Sequence, residues 1–321
     1  MRLRSYIASI AVLIMNFGAA AQDYPNRNVQ IIVPFPPGGI IDAAARLIQP
    51  ELERKLGKNV LIENRSGAGG AVGTQAVVRS EPDGHTLLFV ASSHAVAPAV
   101  NPNLSYDTVR DLAPVMMIAS GHMFFVINAK VPAKTLGDFI TLAREKPGRF
   151  NYSSPGFGSQ TQFVAELFNL KAGLKITHVP FRGGAPALQA LIQGDVELSI
   201  LSGQVTLPQM ESGSIRALAV GGAERDRLSP DTPTLAEAGF ADVEAVQWVG
   251  IFAPAKTPET VIRRLNRVLN EIISDKAMNE KLVLQGVSAR GGPPEVLGKT
   301  VEREVTLWKD VAKAANMKLS D

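Results

Sequence analysis

Cysteine is absent from all 321 positions of the chain. This excludes disulfide bonds, thiolate ligands for a metal, a cysteine nucleophile and an N-terminal cysteine that carries a lipid. Histidine is scarce too, and the four histidines are far apart, with none at the spacing of a metal site. We therefore predict that the chain holds neither a metal ion nor a cofactor.

Neither sign of charge predominates, because 33 Lys and Arg stand against 30 Asp and Glu and leave a net charge of +3. A nucleic-acid-binding protein concentrates its basic residues on one face or along one stripe. The short basic run Arg263, Arg264 and Arg267 has the spacing of the solvated side of a helix. Nucleic acid is therefore not an expected partner.

The motifs of common enzymes are missing as well. The sequence contains no G-x-x-x-x-G-K-[ST] phosphate loop, no G-x-G-x-x-G after a strand, no G-x-S-x-G elbow, no S-x-x-K and no H-E-x-x-H. Catalytic residues need not be close in sequence, so one enzyme hypothesis stays open. It is an exported esterase that uses His94 or His178 with a serine from residues 153–159.

The N-terminus has the layout of a secretory signal peptide. Arg2 and Arg4 precede a mostly apolar stretch at residues 6–17, and the small residues at 18–21 form an A-x-A cleavage site before Gln22. We predict that residues 1–21 are a signal peptide, that it is cleaved before Gln22, and that the mature protein is periplasmic.

Short apolar runs then alternate with segments of helical spacing. Strands are predicted at residues 29–33, 60–63, 87–90, 115–118, 124–127, 150–153, 176–179, 198–201, 217–220 and 249–252. Helices between them predict two α/β units whose parallel sheets are covered on both faces. The helical segments near the C-terminus are expected to pack on one of these units.

Four local predictions accompany this outline. Pro50 should kink or break the first helix. Residues 96–114, which contain three prolines, should form a loop, and residues 119–121 should separate two strands. Thr257 should cap a helix that has Pro258 as its first residue.

Glycine-rich turns recur where strands give way to helices, at residues 36–39, 66–70, 153–159 and 181–186. Such turns let backbone N–H groups converge at a helix N-terminus, where the macrodipole also favours an anion. Ligands of open α/β sheets lie beyond the carboxyl ends of the strands. Gly38 and Gly39 in particular are expected to present N–H groups to an anion, although each turn alone is also compatible with a simple tight turn.

Five segments together resemble one family. They are VPFPPGGIID (33–42), VLIENRSGAGG (60–70), HVPFRGGAPALQALIQGDVEL (178–198), LSPDTPTLAEAGF (228–240) and FAPAKTPETVIRRLN (252–266). In this order they resemble the Bug/TctC family, the periplasmic solute receptors of tripartite tricarboxylate transporters. The similarity extends from Tyr24 to the last helix around Trp308.

This resemblance implies a type II periplasmic-binding-protein fold, an α/β fold in which two lobes are joined by two crossing strands with a ligand cleft between them. Residues 22–119 with 250–321 would form domain 1, and residues 120–249 would form domain 2. The resemblance implies a monomeric receptor without catalytic activity. It would close like a hinge on a small carboxylate and pass it to the large and small membrane subunits of a transporter. A receptor that feeds a signalling system is the alternative within this class.

The resemblance also implies a set of ligand-binding residues in the turns after the strands. They are Phe35, Gly38, Gly39 and Asp42, then Ser92 and His94, then Ser154, Gly158, Ser159, Gln160 and Thr161, and finally Gly183, Gly184 and Ala185. Asp42 is expected to orient the first turn rather than to contact the ligand.

Three positions depart from the family pattern or stay ambiguous. Residues 201–203 read Leu-Ser-Gly where many members carry an Asp, which places Ser202 at the site and disfavours an amino-dicarboxylate ligand. Phe157 stands where a small or polar residue is common and makes the pocket more apolar. Arg182 either pairs with the ligand or lies on the solvated rim.

Overall fold

The computed structural model describes residues 24–317, so the predicted signal peptide lies outside the described residues. The strands are β1 Val29–Val33, β2 Val60–Asn64, β3 Thr86–Ala91, β4 Leu112–Asn128, β5 Asn151–Ser154, β6 Thr177–Pro180, β7 Leu198–Ser202, β8 Ile215–Val220, β9 Val246–Pro254 and β10 Ser288–Ala289. The helices are α1 Ile40–Leu56, α2 Ala71–Val78, α3 Ser93–Val100, α4 Leu136–Glu145, α5 Gln160–Ala172, α6 Gly184–Gln193, α7 Gly203–Glu211, α8 Glu259–Ile273, α9 Lys276–Leu284 and α10 Pro294–Ala314.

The strands form two lobes that share two long crossing strands. In the first lobe the order is β2-β1-β3-β9-β4, with β1 parallel to β2 and β3, and with β10 on the other edge of β4. In the second lobe β4 pairs with β7, which continues to β5 and β6, and also with β8. The antiparallel pair of β4 and β9 connects the lobes. This is the predicted α/β architecture of two lobes joined by crossing strands.

One strand replaces two predicted ones in the crossing region. Residues 119–121 do not separate two strands, because β4 runs without a break from Leu112 to Asn128. Gly121 has a packing role instead: a Cβ there would lie 2.5 Å from the carbonyl oxygen of Gly286. Glycine in a strand interior often marks such a close backbone approach, and the sequence pattern of a turn is similar.

The proline-based predictions were correct only in part. α1 is not broken at Pro50, because it continues through this residue as one helix, and a kink there stays a prediction. Residues 93–100, whose second half was predicted to be loop, form α3 with Pro98 inside it, and Ala95, Val96 and Ala99 of this helix are buried. Burial of its apolar side chains outweighs the one backbone hydrogen bond that proline removes.

The start of α8 also differs from the prediction. Pro258 occupies the N-cap position and the helix begins at Glu259, one residue later than expected from Thr257 as the cap.

Of the C-terminal helices, α8 packs on the first lobe alone, whereas α10 contacts both lobes. α8 buries a single apolar stripe against α1 and β4. α10 packs against α3 and β4 and also against α5 of the second lobe, where the rings of Phe163 and Trp308 meet edge to face with centroids 5.9 Å apart. The expectation that these helices pack on one unit therefore holds for α8 and fails for α10. The domain boundaries stay a prediction.

Within residues 24–317, no helix combines the length and the hydropathy needed to cross a membrane. The same residues contain no cluster of His, Asp and Glu arranged to hold a metal ion.

Candidate ligand-binding cleft

The turn between β1 and α1 is held by a buried carboxylate. Asp42, in the first turn of α1, accepts hydrogen bonds from the backbone N–H of Gly38 at 2.9 Å, from Arg46 Nε at 2.9 Å and from Asn64 Nδ2 at 2.9 Å. Asn64 Nδ2 also donates to the carbonyl oxygen of Phe35 at 3.1 Å. The hydrogen bond from Arg46 is the largest of the effects that lower the pKa of Asp42 to about 2. Asp42 therefore orients this turn as an ionised group.

The Asp42 network changes the expected role of Gly38. Its N–H group is already donated to the carboxylate, so it is not available to a ligand in this conformation. Gly38 has a φ of +82°, a left-handed conformation that explains why glycine is needed there. Gly39 is the N-cap residue of α1 and has ordinary extended backbone angles.

The turn between β5 and α5 is held by its own side chains. The Ser154 hydroxyl lies 2.7 Å from His178 Nε2 and contacts the N–H and the carbonyl oxygen of Gly156 at 3.2 and 3.0 Å. The Gly158 N–H donates to the Gln162 side chain at 2.7 Å. Like the N–H group of Gly38, that of Gly158 thus donates to a side chain of the protein and is not available to a ligand in this conformation.

Two polar residues at the start of α5 complete this turn. The Ser159 hydroxyl donates to the carbonyl oxygen of Gly156 at 2.7 Å and caps α5 by accepting from the Gln162 N–H. The hydroxyls of Ser159 and Thr161 lie 3.3 Å apart. Hydrogen bonds within the protein therefore hold this turn without a ligand.

The neighbouring turn, between β6 and α6, is anchored to it. The Gly183 N–H donates to the carbonyl oxygen of Pro155 at 3.0 Å. Gly184 and Ala185 form the first turn of α6, and Arg182 is exposed beside them. Within residues 24–317 no carboxylate pairs with Arg182, so its charge faces solvent at the rim of the turn.

Two predicted site residues from different lobes meet directly. The Ser92 hydroxyl, at the end of β3, donates to Gln160 Oε1 at the start of α5. Gln160 Nε2 donates to the carbonyl oxygen of Val246 on the crossing strand β9 at 3.1 Å. Ser92 is 2% exposed and Gln160 is 7% exposed. These residues therefore join the two lobes next to the crossing strands.

Histidine 94 lies in the core of the first lobe. It is 5% exposed, stacks on Tyr106 with ring centroids 6.5 Å apart, and packs against Phe252 at 5.4 Å. Burial lowers the pKa of His94 to about 4, and its Nε2 has no hydrogen-bond partner among the described residues. His94 packs against these two rings and also lines a small cavity with Phe35 and Gly70, and its contact with a ligand stays a prediction.

The remaining predicted residues differ in exposure. Phe157 is 46% exposed, whereas Phe35 is half-buried and faces a small cavity with Gly70. Ser202 precedes α7 as its N-cap residue, but its side chain makes no capping hydrogen bond with the described part of the chain.

Four of the five helices that begin at these turns, all except α5, lack a side-chain cap from the described residues. No side chain among residues 24–317 caps α1, α3, α6 or α7, whose N-cap residues are Gly39, Ser92, Gly183 and Ser202. Away from these turns, α4 and α9 are capped by Thr135 and Asp275, whereas α8 and α10 begin after prolines and have no side-chain cap among the described residues. The first N–H groups of a helix have no partner within it, so uncapped termini can donate to an anion.

A large cavity lies elsewhere in the described part of the chain, at the edge of the crossing strands. It has a volume of about 980 Å³ and is lined by residues 120–122 of β4, by α7 and residues 223–228, and by α9 and residues 286–290. Its lining carries charges of both signs, and His122 Nδ1 lies 3.1 Å from Asp226. Sequence reasoning missed this cavity, because its walls come from segments without a motif.

The predicted ligand-binding residues lie at the turns and not in this cavity. None of the predicted site residues lines the cavity, which reaches only Gly203, the neighbour of Ser202. The turns after β1, β3, β6 and β7 instead combine small residues with uncapped helix N-termini from both lobes.

The serine–histidine pair does not form a hydrolase site. Ser154 is fully buried, and no carboxylate within the described residues hydrogen-bonds to His178. A triad needs an exposed nucleophile and a third group that orients the base.

Together, the two lobes, the crossing strands and the turns between them define a two-lobed binding protein of the periplasmic type. The family model of the tripartite tricarboxylate transporter family receptor, TctC, matches residues 44–317. The chain therefore belongs to the TctC family, which confirms the resemblance and the fold.

Individual relatives are similar over nearly their whole length. Protein BugT of Bordetella pertussis is 34% identical over 99% of this chain and 100% of that protein. The structure of R. palustris Rpa4515 with adipate is 34% identical, covers 92% of this chain and 99% of its own, and has a TM-score of 0.77. MatC from Rhodopseudomonas palustris with bound malate is 33% identical over 90% of this chain and 99% of its own, with a TM-score of 0.74.

Membership in a family of receptors also confirms that the chain is a binding protein and not an enzyme, so the esterase hypothesis is wrong. The individual ligand contacts stay predictions.

Proposed function

We propose that this protein is a periplasmic receptor that captures a small carboxylate between its lobes and delivers it to the membrane subunits of a tripartite transporter. The observation that carries the proposal is the set of uncapped helix N-termini at the turns of both lobes. Two relatives were solved with carboxylates, one with adipate and one with malate, which supports this class of ligand.

The binding mechanism follows from the donors that the turns leave free. The amides at the start of α1 belong to the first lobe, and those of Gly184 and Ala185 belong to the second. A carboxylate that accepts from both sets bridges the lobes and therefore favours the closed state. Neutral N–H donors suit a receptor that must also release its cargo, and Arg182 at the rim attracts the anion.

The residues around the turns favour a ligand without an ammonium group. Asp42 is saturated by three donors from the protein, and residues 201–203 offer no carboxylate. Phe35 and Phe157 supply apolar surface. We therefore propose a carboxylate with an apolar body.

Export and transport complete the proposal. Cleavage of residues 1–21 would release a monomer into the periplasm, where it would meet the large and small membrane subunits. Uptake of the identified ligand by cells that lack the protein separates this role from signalling, because a transport receptor is required for uptake and a sensory receptor is not.

Two glycines allow a direct test of the site. A Cβ at Gly39 would meet only the Pro36 carbonyl oxygen at 3.7 Å, and a Cβ at Gly184 would have no neighbour within 4 Å. Gly39→Val and Gly184→Val should therefore fold normally while the new side chain blocks the helix N-terminus. Calorimetric titration with adipate should show at least about a tenfold loss of affinity, the equivalent of one charge-assisted hydrogen bond.

Gly137→Val is the matched control. Gly137 lies in the first turn of α4, a helix that Thr135 already caps, and a Cβ there makes only an ordinary contact at 3.7 Å. It should leave the affinity unchanged. Wild-type affinity in both Gly39→Val and Gly184→Val would contradict the proposed site. Gly158→Val is a poor test, because Gly158 has a φ of +75° and its Cβ would lie 3.2 Å from Val100.

A further inference from the structure

The contact between Ser154 and His178 has no part in the proposed binding mechanism, although several neighbouring residues hold it in place. Tyr152 and His178 are directly opposite each other on the parallel strands β5 and β6, and their rings stack with centroids 4.9 Å apart and planes inclined by 24°. The Tyr152 hydroxyl donates to Glu166 at 2.5 Å. The imidazole of His178 is therefore held in one place, with Nε2 directed at the Ser154 hydroxyl at 2.7 Å.

Counting hydrogens identifies how this contact works. The Ser154 hydroxyl has one hydrogen and lies near three groups, which are the Gly156 N–H, the Gly156 carbonyl oxygen and His178 Nε2. All three contacts are satisfied at once only when His178 carries its hydrogen on Nε2. The hydroxyl then accepts from Nε2 and from the Gly156 N–H, and donates to the Gly156 carbonyl. Burial lowers the pKa of His178 to about 4, so the ring is neutral at neutral pH.

The Ser154 hydroxyl thereby binds both the N–H and the carbonyl group of Gly156. Gly156 has a φ of +145°, and it leads directly into Phe157 and Gly158. The same turn accepts the Gly183 N–H at the carbonyl of Pro155. The His178 imidazole thus contacts Ser154, which holds the turn after β5, and that turn accepts a hydrogen bond from the turn after β6.

We propose that His178 is a positioning residue of the ligand site, which fixes the Ser154 hydroxyl and through it the turn at residues 155–158. This inference rests on the proposed function, because it concerns the same cleft. It also gives the serine–histidine pair a structural role instead of a catalytic one, because the Ser154 hydroxyl connects the His178 imidazole to the backbone of the turn.

Two substitutions separate the hydrogen bond from the ring. His178→Phe keeps an aromatic ring against Tyr152 but removes the donor, whereas His178→Gln restores an N–H donor near the position of Nε2. With adipate as the probe, His178→Phe should weaken binding about tenfold, the cost of about one buried hydrogen bond. His178→Gln should bind within about threefold of the wild type. His85→Phe, in the first lobe, is the control and should bind as the wild type does.

A ligand-free measurement keeps the inference independent of the probe. Hydrogen exchange of the amides at residues 156–158 should be faster in His178→Phe and in Ser154→Ala than in the wild type, and close to wild type in His178→Gln. In the double variant of His178→Phe and Ser154→Ala, the loss of affinity should not exceed that of either single variant, because both remove the same link.

Three results would overturn the inference. They are unchanged exchange at residues 156–158 in His178→Phe, wild-type affinity in that variant, and equal losses in His178→Phe and His178→Gln. Failure of the wild type to bind any carboxylate would instead refute the proposed function, and the exchange measurement would still decide the role of His178.

Discussion

Glu304 is a buried carboxyl group between the last helix and a crossing strand, and it should make stability depend on pH near neutrality. It lies on α10, is 4% exposed, and accepts hydrogen bonds at 3.1 Å from the indole N–H of Trp248 on β9. Burial is the largest of the effects that raise its pKa from 4.5 to about 7. The Trp248 hydrogen bond opposes this rise, Glu244 reinforces it, and Arg303 opposes it through its charge.

The magnitude and the sign follow from linkage. Between pH 4.5 and pH 7 the folded protein holds a proton on Glu304 that the unfolded chain has lost, so the free energy of unfolding falls as pH rises. The loss is complete above the folded pKa and amounts to about 3 kcal/mol. Between pH 5 and pH 8 this single group should therefore account for about 2 to 3 kcal/mol.

The assay is urea unfolding of the wild type and of Glu304→Gln at pH 5 and pH 8. The glutamine keeps an acceptor for Trp248 and does not ionise, so the variant should gain about 2 to 3 kcal/mol relative to the wild type as pH rises from 5 to 8. Glu302→Gln removes an exposed carboxyl from the same helix and should follow the wild type at both pH values. A constant difference between Glu304→Gln and the wild type across this range would refute the reasoning.

Two further predictions concern other parts of the fold. Asp42→Asn should be less stable than the wild type by about 2 kcal/mol at pH 7, because the folded pKa of about 2 lies below the ordinary value of 3.8. This difference in the free energy of unfolding should shrink as pH falls from 5 towards 2. Urea unfolding at pH 7 and pH 3 measures it, and an equal difference at both pH values would contradict the prediction. Gly221→Ala should fail to fold or lose more than about 3 kcal/mol, because its Cβ would lie 1.9 Å from the Ala245 carbonyl oxygen. A melting temperature within two or three degrees of the wild type, on the order of 1 kcal/mol, would contradict it.

The sequence predicted elements well where local signals and tertiary burial agree. Gly57 ends the first helix with a φ of 69°, the left-handed conformation in which glycine commonly ends a helix. The seven apolar residues of α8 recur at helical spacing, and all seven are buried. In these segments, capping chemistry and helical periodicity depend on residues a few positions apart, so they can be read from a single chain.

The crossing region could not be predicted in the same way. Residues 119–121 have the composition of a turn, and only the approach of Gly286 from a distant segment explains the glycine within β4. α3 was missed in part because proline signals were counted without the burial that offsets them.

The candidate site shows the same division. The positions of the turns could be predicted from glycine and proline alone. Which backbone amides of these turns remain free for a ligand could not be predicted. Gly38 and Gly158 donate to Asp42 and Gln162, and these contacts depend on side-chain geometry within the turns. The contact between Ser92 and Gln160 joins lobes that are far apart in sequence, so it required the fold.

The most direct test of the central claim is a thermal-shift measurement on residues 22–321 with a panel of mono-, di-, tri- and aromatic carboxylates that includes adipate and malate. A ligand that binds only the folded state adds about 2.7 kcal/mol at one hundred times its dissociation constant. We predict that at least one carboxylate raises the melting temperature by several degrees and that an amino-dicarboxylate such as aspartate does not. A melting temperature that no carboxylate in the panel changes would contradict the account.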